Sequence, residues 1–181
     1  MSVFGQILDI DLTAETWKLS DYQENLAREY LGGRGLNVKF LYDHILPGTD
    51  PLGPQNILTL SCGLLTGTAA PASSRLHINA LSPLTGILGS SNIGGAFGVS
   101  LRRCNIQQLI IRGRASRPVY LWIDADVIEI RNAKSLWGKD TWETEKLLKN
   151  RLGSEKLKIL AIGPAGEKEC RFGCIITDRH H

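Results

Sequence analysis

Apolar and polar residues alternate strictly near the start of the chain, as I-L-D-I-D-L within residues 5–12, and the pattern resumes at residues 17–19 beyond Thr13-Ala14-Glu15. Period-two patterning on both sides of a short polar turn predicts a β-hairpin. The period then changes. Leu26, Ala27, Tyr30 and Leu31 recur at helical spacing and predict a helix over 24–31, ended by Gly32-Gly33. Leu36, Phe40, Leu41 and Ile45 form one stripe and predict a second helix over 34–45, stopped by Pro47-Gly48.

Beyond these helices the chain reads as short strands separated by glycine-rich loops. Residues 56–61 are a buried strand, 63–74 a loop of Gly, Thr, Ala and Pro, and 75–81 a strand. Residues 82–86 are a turn. Residues 89–98 form a second Gly/Ser/Asn loop that runs into a helix over about 96–103. Strands are predicted at 107–112, 119–123 and 127–131, the last two joined by a tight turn at Asp124-Ala125-Asp126. Residues 141–152 are the clearest helix, with Asp140 or Thr141 to cap it and Gly153 just past its end. A strand over 157–162, a turn over 163–166 and a strand over 171–177 complete the series.

Hairpins and helices are mixed without regular β-α-β alternation. That predicts an α+β fold and argues against a doubly wound sheet. No linker-like stretch divides the chain, so residues 1–181 read as one domain. A weak internal repeat is present: N-I-L-T-L-S-C-G from position 56 is echoed by K-I-L-A-I-G-P-A-G at 158–166. In each copy a buried strand enters a glycine-rich turn. The second copy is expected to be cut short at Asp178-Arg179-His180-His181.

Composition narrows the class. With 43% hydrophobic residues the chain can bury a sizeable core. A net charge of +3, evenly spread, offers no footprint for nucleic acid. No apolar run reaches the roughly 18 residues of a membrane span, and residues 1–10 lack the pattern of a signal peptide. These features read as a cytoplasmic protein, in which Cys62, Cys104, Cys170 and Cys174 are thiols rather than disulfides, buried or incidental. Cys170 and Cys174 are spaced to face each other on a helix, a weak signal for a metal.

Two loops are candidates for chemistry: 63–75, ending in Arg75, and 89–98. Small residues let a ligand approach the backbone, and glycine lets successive N–H groups converge on an anion. The second loop enters a helix, whose first N–H groups attract phosphate. Arg75 adds a planar, bidentate hold. The competing reading is that both loops are turns of a β-rich domain. Neither standard nucleotide-loop signature is matched. His44 reads as a surface residue of a helix, His77 as a strand residue, and His180 and His181 as a terminus. No motif ties Ser, His and Asp into a hydrolytic set.

Nine segments, taken in order, resemble the aldehyde:ferredoxin oxidoreductase family. They are G-Q-I-L-D-I-D-L-T near the start, Y-L-G-G-R-G-L at 30–36, P-G-T-D-P-L-G-P-Q-N at 47–56 and G-L-L-T-G-T-A-A-P-A-S-S-R at 63–75. S-P-L-T-G at 82–86, N-I-G-G-A-F-G at 92–98, R-P-V-Y-L at 117–121, L-W-G-K-D-T-W-E-T-E at 136–145 and A-I-G-P-A-G-E at 161–167 follow.

The resemblance implies an amino-terminal domain of two β-sheets related by a pseudo-two-fold axis. These form a saddle under a tungsten or molybdenum ion held by two pterin dithiolenes. It implies that Arg75 contacts the pterin on the side of the iron–sulfur cluster. It implies that the backbone carbonyl of Asn92 binds a magnesium ion bridging the pterin phosphates, and that Gly94 and Gly95 let phosphate lie on the backbone. The whole enzyme would oxidise an aldehyde and pass electrons through a [4Fe–4S] cluster to ferredoxin.

This chain corresponds to roughly the first third of the family's length. It lacks the A-A-G-R-G-G loop, the cluster cysteines and the substrate pocket, so no catalytic acid or base is assigned within it. Two functions remain open: the cofactor-cradling part of such an oxidoreductase, inactive by itself, or a non-catalytic module that binds a phosphate-bearing ligand or a partner. Either leaves apolar surface exposed and predicts a homo-oligomer.

Overall fold

The computed structural model describes residues 4–125 and 127–178. Its centre is a six-stranded mixed sheet. The predicted first hairpin is β1 (Gln6–Asp11) and β2 (Thr16–Asp21). The Asp11 carboxylate turns the chain by accepting from the backbone N–H groups of Thr13 (2.9 Å) and Ala14 (3.1 Å). The helices α1 (Glu24–Tyr30) and α2 (Gly33–His44) follow. Strands β3 (Ile57–Cys62), β4 (Leu76–Leu81) and β5 (Leu88–Ile93) form an antiparallel meander. Helix α3 (Phe97–Arg103) then returns the chain to β6 (Ile106–Arg112). β6 inserts between β1 and β3, parallel to the first and antiparallel to the second.

Residues 89–93 correct the sequence reading. They were expected to be loop, yet with Leu88 they pair with β4, from Leu88↔Leu81 to Ile93↔Leu76. Gly89, Ser90, Ser91 and Asn92 have no apolar alternation because β5 is an edge strand, mostly exposed, and only Ile93 is buried. The strand forms through its backbone ladder with β4 rather than through side-chain burial.

The rest of the chain makes a second layer. β7 (Val119–Asp124) and β8 (Val127–Asn132) form a hairpin in which Asp124 pairs with Val127. That leaves the expected two-residue connection, of which Asp126 lies outside the described residues. Helix α4 (Thr141–Leu152) starts on a capping box. Asp140 accepts from the Glu143 N–H at 2.8 Å, Glu143 reaches back to the Asp140 N–H, and Gly153 closes the helix at φ 67°. β9 (Leu160–Ile162) and β10 (Ile175–Thr177) pair antiparallel, both shorter than the sequence suggested. Residues 163–166, expected to be a plain turn, open a short helix, α5 (Pro164–Glu167). Proline at its first position suits a helix start.

The α+β class is as expected. The two sheets of the resemblance are unequal here: one has six strands, and the second layer consists of two two-stranded units among the described residues. Both copies of the sequence repeat are antiparallel strand–loop–strand units, β3 with β4 and β9 with β10.

The layers share one core. Leu8, Ile10, Leu60, Leu76, Ile78 and Leu109 on one face of the large sheet meet Leu121, Ile123, Ile128, Ile130, Leu160 and Ile175 of the second layer. Each fully buried side chain of this size stabilises the fold by about 2 kcal/mol. The opposite face carries α1 and α2 through Ile7, Leu36, Leu41, Ile57 and Ile110.

This helix-bearing face is partly polar. Asn37 of α2 is fully buried, and its Nδ2 donates to the His77 carbonyl (3.0 Å) and to Asn79 Oδ1 (3.1 Å). Its Oδ1 accepts from Gln108 Nε2 at 3.0 Å. Thr59 Oγ1 donates to the Asn79 carbonyl (3.0 Å), and Asn79 Nδ2 to the Gly89 carbonyl (3.1 Å). α2 is thereby registered on β4 and β6 by hydrogen bonds that admit one position only.

The approach is close because Gly32 permits it. At φ 94° it sits against Gly63 in an isolated antiparallel bridge. A Cβ there would lie 2.7 Å from Gln107 Nε2 and 2.9 Å from the Cys62 carbonyl. Asn37→Leu removes the donor and acceptor at once and strands the Asn79 and Gln108 amides. We expect a loss of about 2 kcal/mol or more, read as a lower denaturant midpoint with an unchanged slope.

Candidate functional site

The four residues proposed from the sequence converge at one end of the large sheet. Arg75 immediately precedes β4, Asn92 lies on β5, and Gly94 and Gly95 connect β5 to α3. The β4–β5 register pairs His77 with Asn92, and residues directly opposite share a face. Asn92 Nδ2 lies over the His77 ring, 3.1 Å from Nε2 and 3.5 Å from Nδ1, and Arg75 Nη1 donates to Asn92 Oδ1 at 3.1 Å. The result is a chain of three side chains along one edge.

Charge around this chain has one sign. His77 is held below the ordinary imidazole pKa, first by burial and then by the guanidinium groups of Arg34 and Arg75. Two cations beside a neutral ring make this edge attractive to an anion. Arg34 comes from the first turn of α2, which contains no acidic residue.

The two loops are held differently. Loop 63–75 is folded on itself through its side-chain hydroxyls. Ser73 Oγ donates to the carbonyls of Leu65 (2.9 Å) and Ala70 (2.8 Å), and Thr66 Oγ1 to the Arg75 carbonyl (3.3 Å). Its contribution is to fix the backbone at Arg75. In the second loop Gly95 has φ 77°, a conformation that side chains resist. The Ala96 N–H, which the sequence reading offered to phosphate, donates instead to Asp178 Oδ2 at 3.2 Å. Lys158 Nζ lies 3.6 Å from the other oxygen of that carboxylate. Asp178 follows β10, so the second layer is tied directly to the glycine loop of the first.

Sequence reasoning noted His77 but gave it no role, and it passed over Arg34 and Asp178. The signal for His77 was available: it stands two residues from Arg75 in a period-two strand, hence on the same face. Asp178 had no local signal, because its partner is 82 residues away.

The remaining candidates separate. Cys62 is buried on β3, donates to the Gly98 carbonyl at 3.4 Å, and has its thiol pushed up to about 12 by burial. Cys170 and Cys174 are exposed thiols in the segment between α5 and β10, not on a helix. His44 is exposed and stacks on Phe40 at 4.0 Å. His180 and His181 lie outside the described residues. Among the described residues no group of three or more His, Cys, Asp or Glu side chains is arranged to hold a metal ion.

Several of the recurring motifs have structural reasons. Asn56 closes the 47–56 segment against the end of β4 by donating to the carbonyls of Pro51 (2.7 Å) and Leu81 (2.9 Å). The Glu167 carboxylate accepts from the Gly138 N–H at 2.9 Å through both oxygens, joining segment 161–167 to segment 136–145. Residues 7–181 match the family model described as aldehyde ferredoxin oxidoreductase, N-terminal domain.

The chain belongs to the aldehyde ferredoxin oxidoreductase family.

A tungsten-containing aldehyde ferredoxin oxidoreductase of Pyrococcus furiosus is 41% identical over 98% of this chain and 29% of its own length. One from Thermococcus kodakarensis shows the same identity and the same shares. An aliphatic sulfonate oxidoreductase, WOR-like subunit, from Pyrococcus furiosus is 33% identical over 98% of this chain and 30% of its own. Among solved structures, the active site complex BamBC of benzoyl coenzyme A reductase, bound to 1,5-dienoyl-CoA, superposes with a TM-score of 0.94. That match has 34% identity and covers 96% of this chain and 27% of that one. The chain therefore spans under a third of the length of these relatives. No helix among the described residues is long and apolar enough to cross a membrane.

Thiol chemistry checks the placement of the cysteines in this family member. Cys170 and Cys174 are expected to react with a disulfide reagent in the native protein at neutral pH, and Cys62 only after denaturation. Rapid labelling of Cys62 in the native state, seen by peptide mass, would contradict its burial.

Proposed function

We propose that residues 1–181 form the amino-terminal cradle of a tungsten or molybdenum bis-pterin in an oxidoreductase. The whole enzyme oxidises an aldehyde to a carboxylic acid and passes the electrons through a [4Fe–4S] cluster to ferredoxin. The observation that carries this reading is the cationic edge at which Arg34 and Arg75 flank His77 and Asn92.

The residues suit the phosphate-bearing tail of a pterin. A guanidinium has five N–H donors, and one hydrogen bond, to Asn92, occupies Arg75 here, so it retains a planar fork for phosphate oxygens. β5 is an edge strand and turns alternate backbone groups away from β4, which suits a carbonyl of Asn92 as a magnesium ligand. Gly94 and Gly95 place no side chain beyond it, so a phosphate can lie on the main chain. When bound, the metal and its dithiolenes supply the two-electron chemistry. The chain's own residues bind, orient and neutralise the anionic tail.

The [4Fe–4S] cluster does not fit these residues. Cys62 is buried on β3, while Cys170 and Cys174 are exposed at the second layer. We assign the cluster, the aldehyde pocket and the ferredoxin contact to the remainder of a full-length enzyme of the relatives' size, working in the cytoplasm. Exposed Leu65, Leu84, Ile87 and Phe172 favour self-association of the chain by itself, and we expect light scattering to show dimers or larger species. A monodisperse monomer at high concentration would sink that expectation.

Tungsten or molybdenum content of the anaerobically purified full-length protein tests the cradle. Arg75→Ala is expected to lower pterin retention about tenfold or more, the scale of a lost charge-assisted hydrogen bond. Gly95→Val strains a backbone at φ 77° and should lose the cofactor more completely than Asn92→Asp, which keeps the carbonyl. Equal loss in Asn92→Asp and Gly95→Val would count against a main-chain role for Asn92. Wild-type retention in Arg75→Ala would count against the site as a whole. The isolated chain should carry little metal, and near-stoichiometric metal in it would overturn the assignment of half the cradle elsewhere.

A further inference from the structure

We infer that Asp178 is a positioning residue of the cradle. Its carboxylate, brought by the second layer, holds the main chain at Gly94-Gly95 in one conformation before any ligand arrives. The inference rests on the cradle reading above and adds to it a residue that the family resemblance does not assign.

Two adjacent glycines have no side chains with which to fix their own backbone, and each samples both halves of φ space. A loop that offers main-chain groups to a ligand therefore needs a fixed point on either side. On one side Ile93 ends β5, buried and paired with Leu76. On the other stands Ala96. Its carbonyl accepts from the Ser100 N–H at 3.0 Å, which joins it to the start of α3. A helix of seven residues holds its first turn weakly by itself. The bond from the Ala96 N–H to Asp178 Oδ2, at 3.2 Å, adds an anchor from outside the helix at the residue directly after the glycines.

Asp178 is itself held for this contact. It follows β10, whose last residue, Thr177, is buried and paired with Leu160. Its other oxygen, Oδ1, lies 3.6 Å from Lys158 Nζ, so the carboxylate joins an ammonium of its own layer to an N–H of the other. The backbone of Asp178 is at φ 48°, in the left-handed region where glycine is the ordinary residue and Asp and Asn are tolerated better than most. Glycine would make this turn without strain. A side chain kept at such a φ is explained by what the side chain does. With the loop fixed during folding, an anion lying on it does not have to order two glycines as it binds.

Three forms of the full-length enzyme separate this role from a merely structural one. The wild type is compared with Asp178→Asn, which keeps an acceptor oxygen at the same reach and tolerates the same φ. It is also compared with Asp178→Gly, which removes the acceptor and relieves the φ, so that backbone strain cannot account for any loss. Hydrogen–deuterium exchange is read on protein made in a host that cannot synthesise pterin cofactors, and tungsten or molybdenum retention on protein purified anaerobically from a competent one. In Asp178→Gly the peptide spanning the glycine loop is expected to exchange about tenfold faster and metal retention to fall about tenfold, the scale of one lost hydrogen bond to a charged group. Both should stay within about threefold of wild type in Asp178→Asn, because a neutral acceptor keeps roughly half the strength of a charged one. Exchange in α4 should not change in either variant.

Unchanged loop exchange in Asp178→Gly overturns the inference, and so does a rise in α4 as large as in the loop, which would make Asp178 a general stabiliser. Faster loop exchange with wild-type metal retention overturns the positioning role while the cradle stands. Equal losses in the two variants also overturn it, because the ion pair with Lys158 rather than the accepted N–H would be what matters. If the wild type carries neither metal, or Arg75→Ala retains it fully, the cradle reading fails and the role of Asp178 falls with it.

Discussion

The buried amide of Asn37 is the contact on which the site most depends. A helix held to a sheet by apolar contacts alone can slide by a fraction of a residue at little cost. One held by an asparagine that bonds two strands at once cannot. Because α2 is fixed in this way, its first turn lies against His77 and brings Arg34 close to that ring. The same network runs on through Asn79 to the Gly89 carbonyl, so it also steadies β5, the strand that carries Asn92. The apolar sandwich beneath supplies most of the stability. The polar layer above it supplies the registration.

Polarity inside a core is costly unless every group is met, and the pattern here explains why the Y-L-G-G-R-G-L segment has the residues it does. Gly32 has no side chain because the Gln107 amide and the Cys62 carbonyl occupy the space where one would stand. The leucine two positions after Arg34 is buried with Ala27 and Tyr22 and closes the apolar side of the same helix. One short segment thus serves helix packing, strand bridging and the placement of a cation.

Elements with local causes were legible in the sequence. The first hairpin, the helix over 141–152 with its cap, and the strands rich in Ile and Leu follow from periodicity and turn chemistry. β5 was not legible, because L-G-S-S-N-I has neither alternation nor β-branched bulk except at its end, and its strand character is imposed by β4. At the site, Arg75, Asn92, Gly94 and Gly95 were proposed from resemblance, and loop composition pointed to the same segments. The pairing of Asn92 with His77 depends on register, which composition does not encode. Asp178 depends on a contact across the two layers. Cys170 and Cys174 do not share a helix face, because the helix that a four-residue spacing would need ends at Glu167.

The position of β6 has a consequence for how the protein is made. It is the last strand of the large sheet to be synthesised, yet it lies between the first hairpin and the β3–β5 meander. A nascent chain emerging from the ribosome therefore presents two partial sheets, each with a bare, strongly apolar edge, until residues 106–112 emerge and join them. Pairing of β1 with β6 spans about a hundred residues, a separation that slows folding and lengthens exposure. The interval before β6 arrives is when this chain most needs a chaperone, and slow translation just upstream of that strand would extend it.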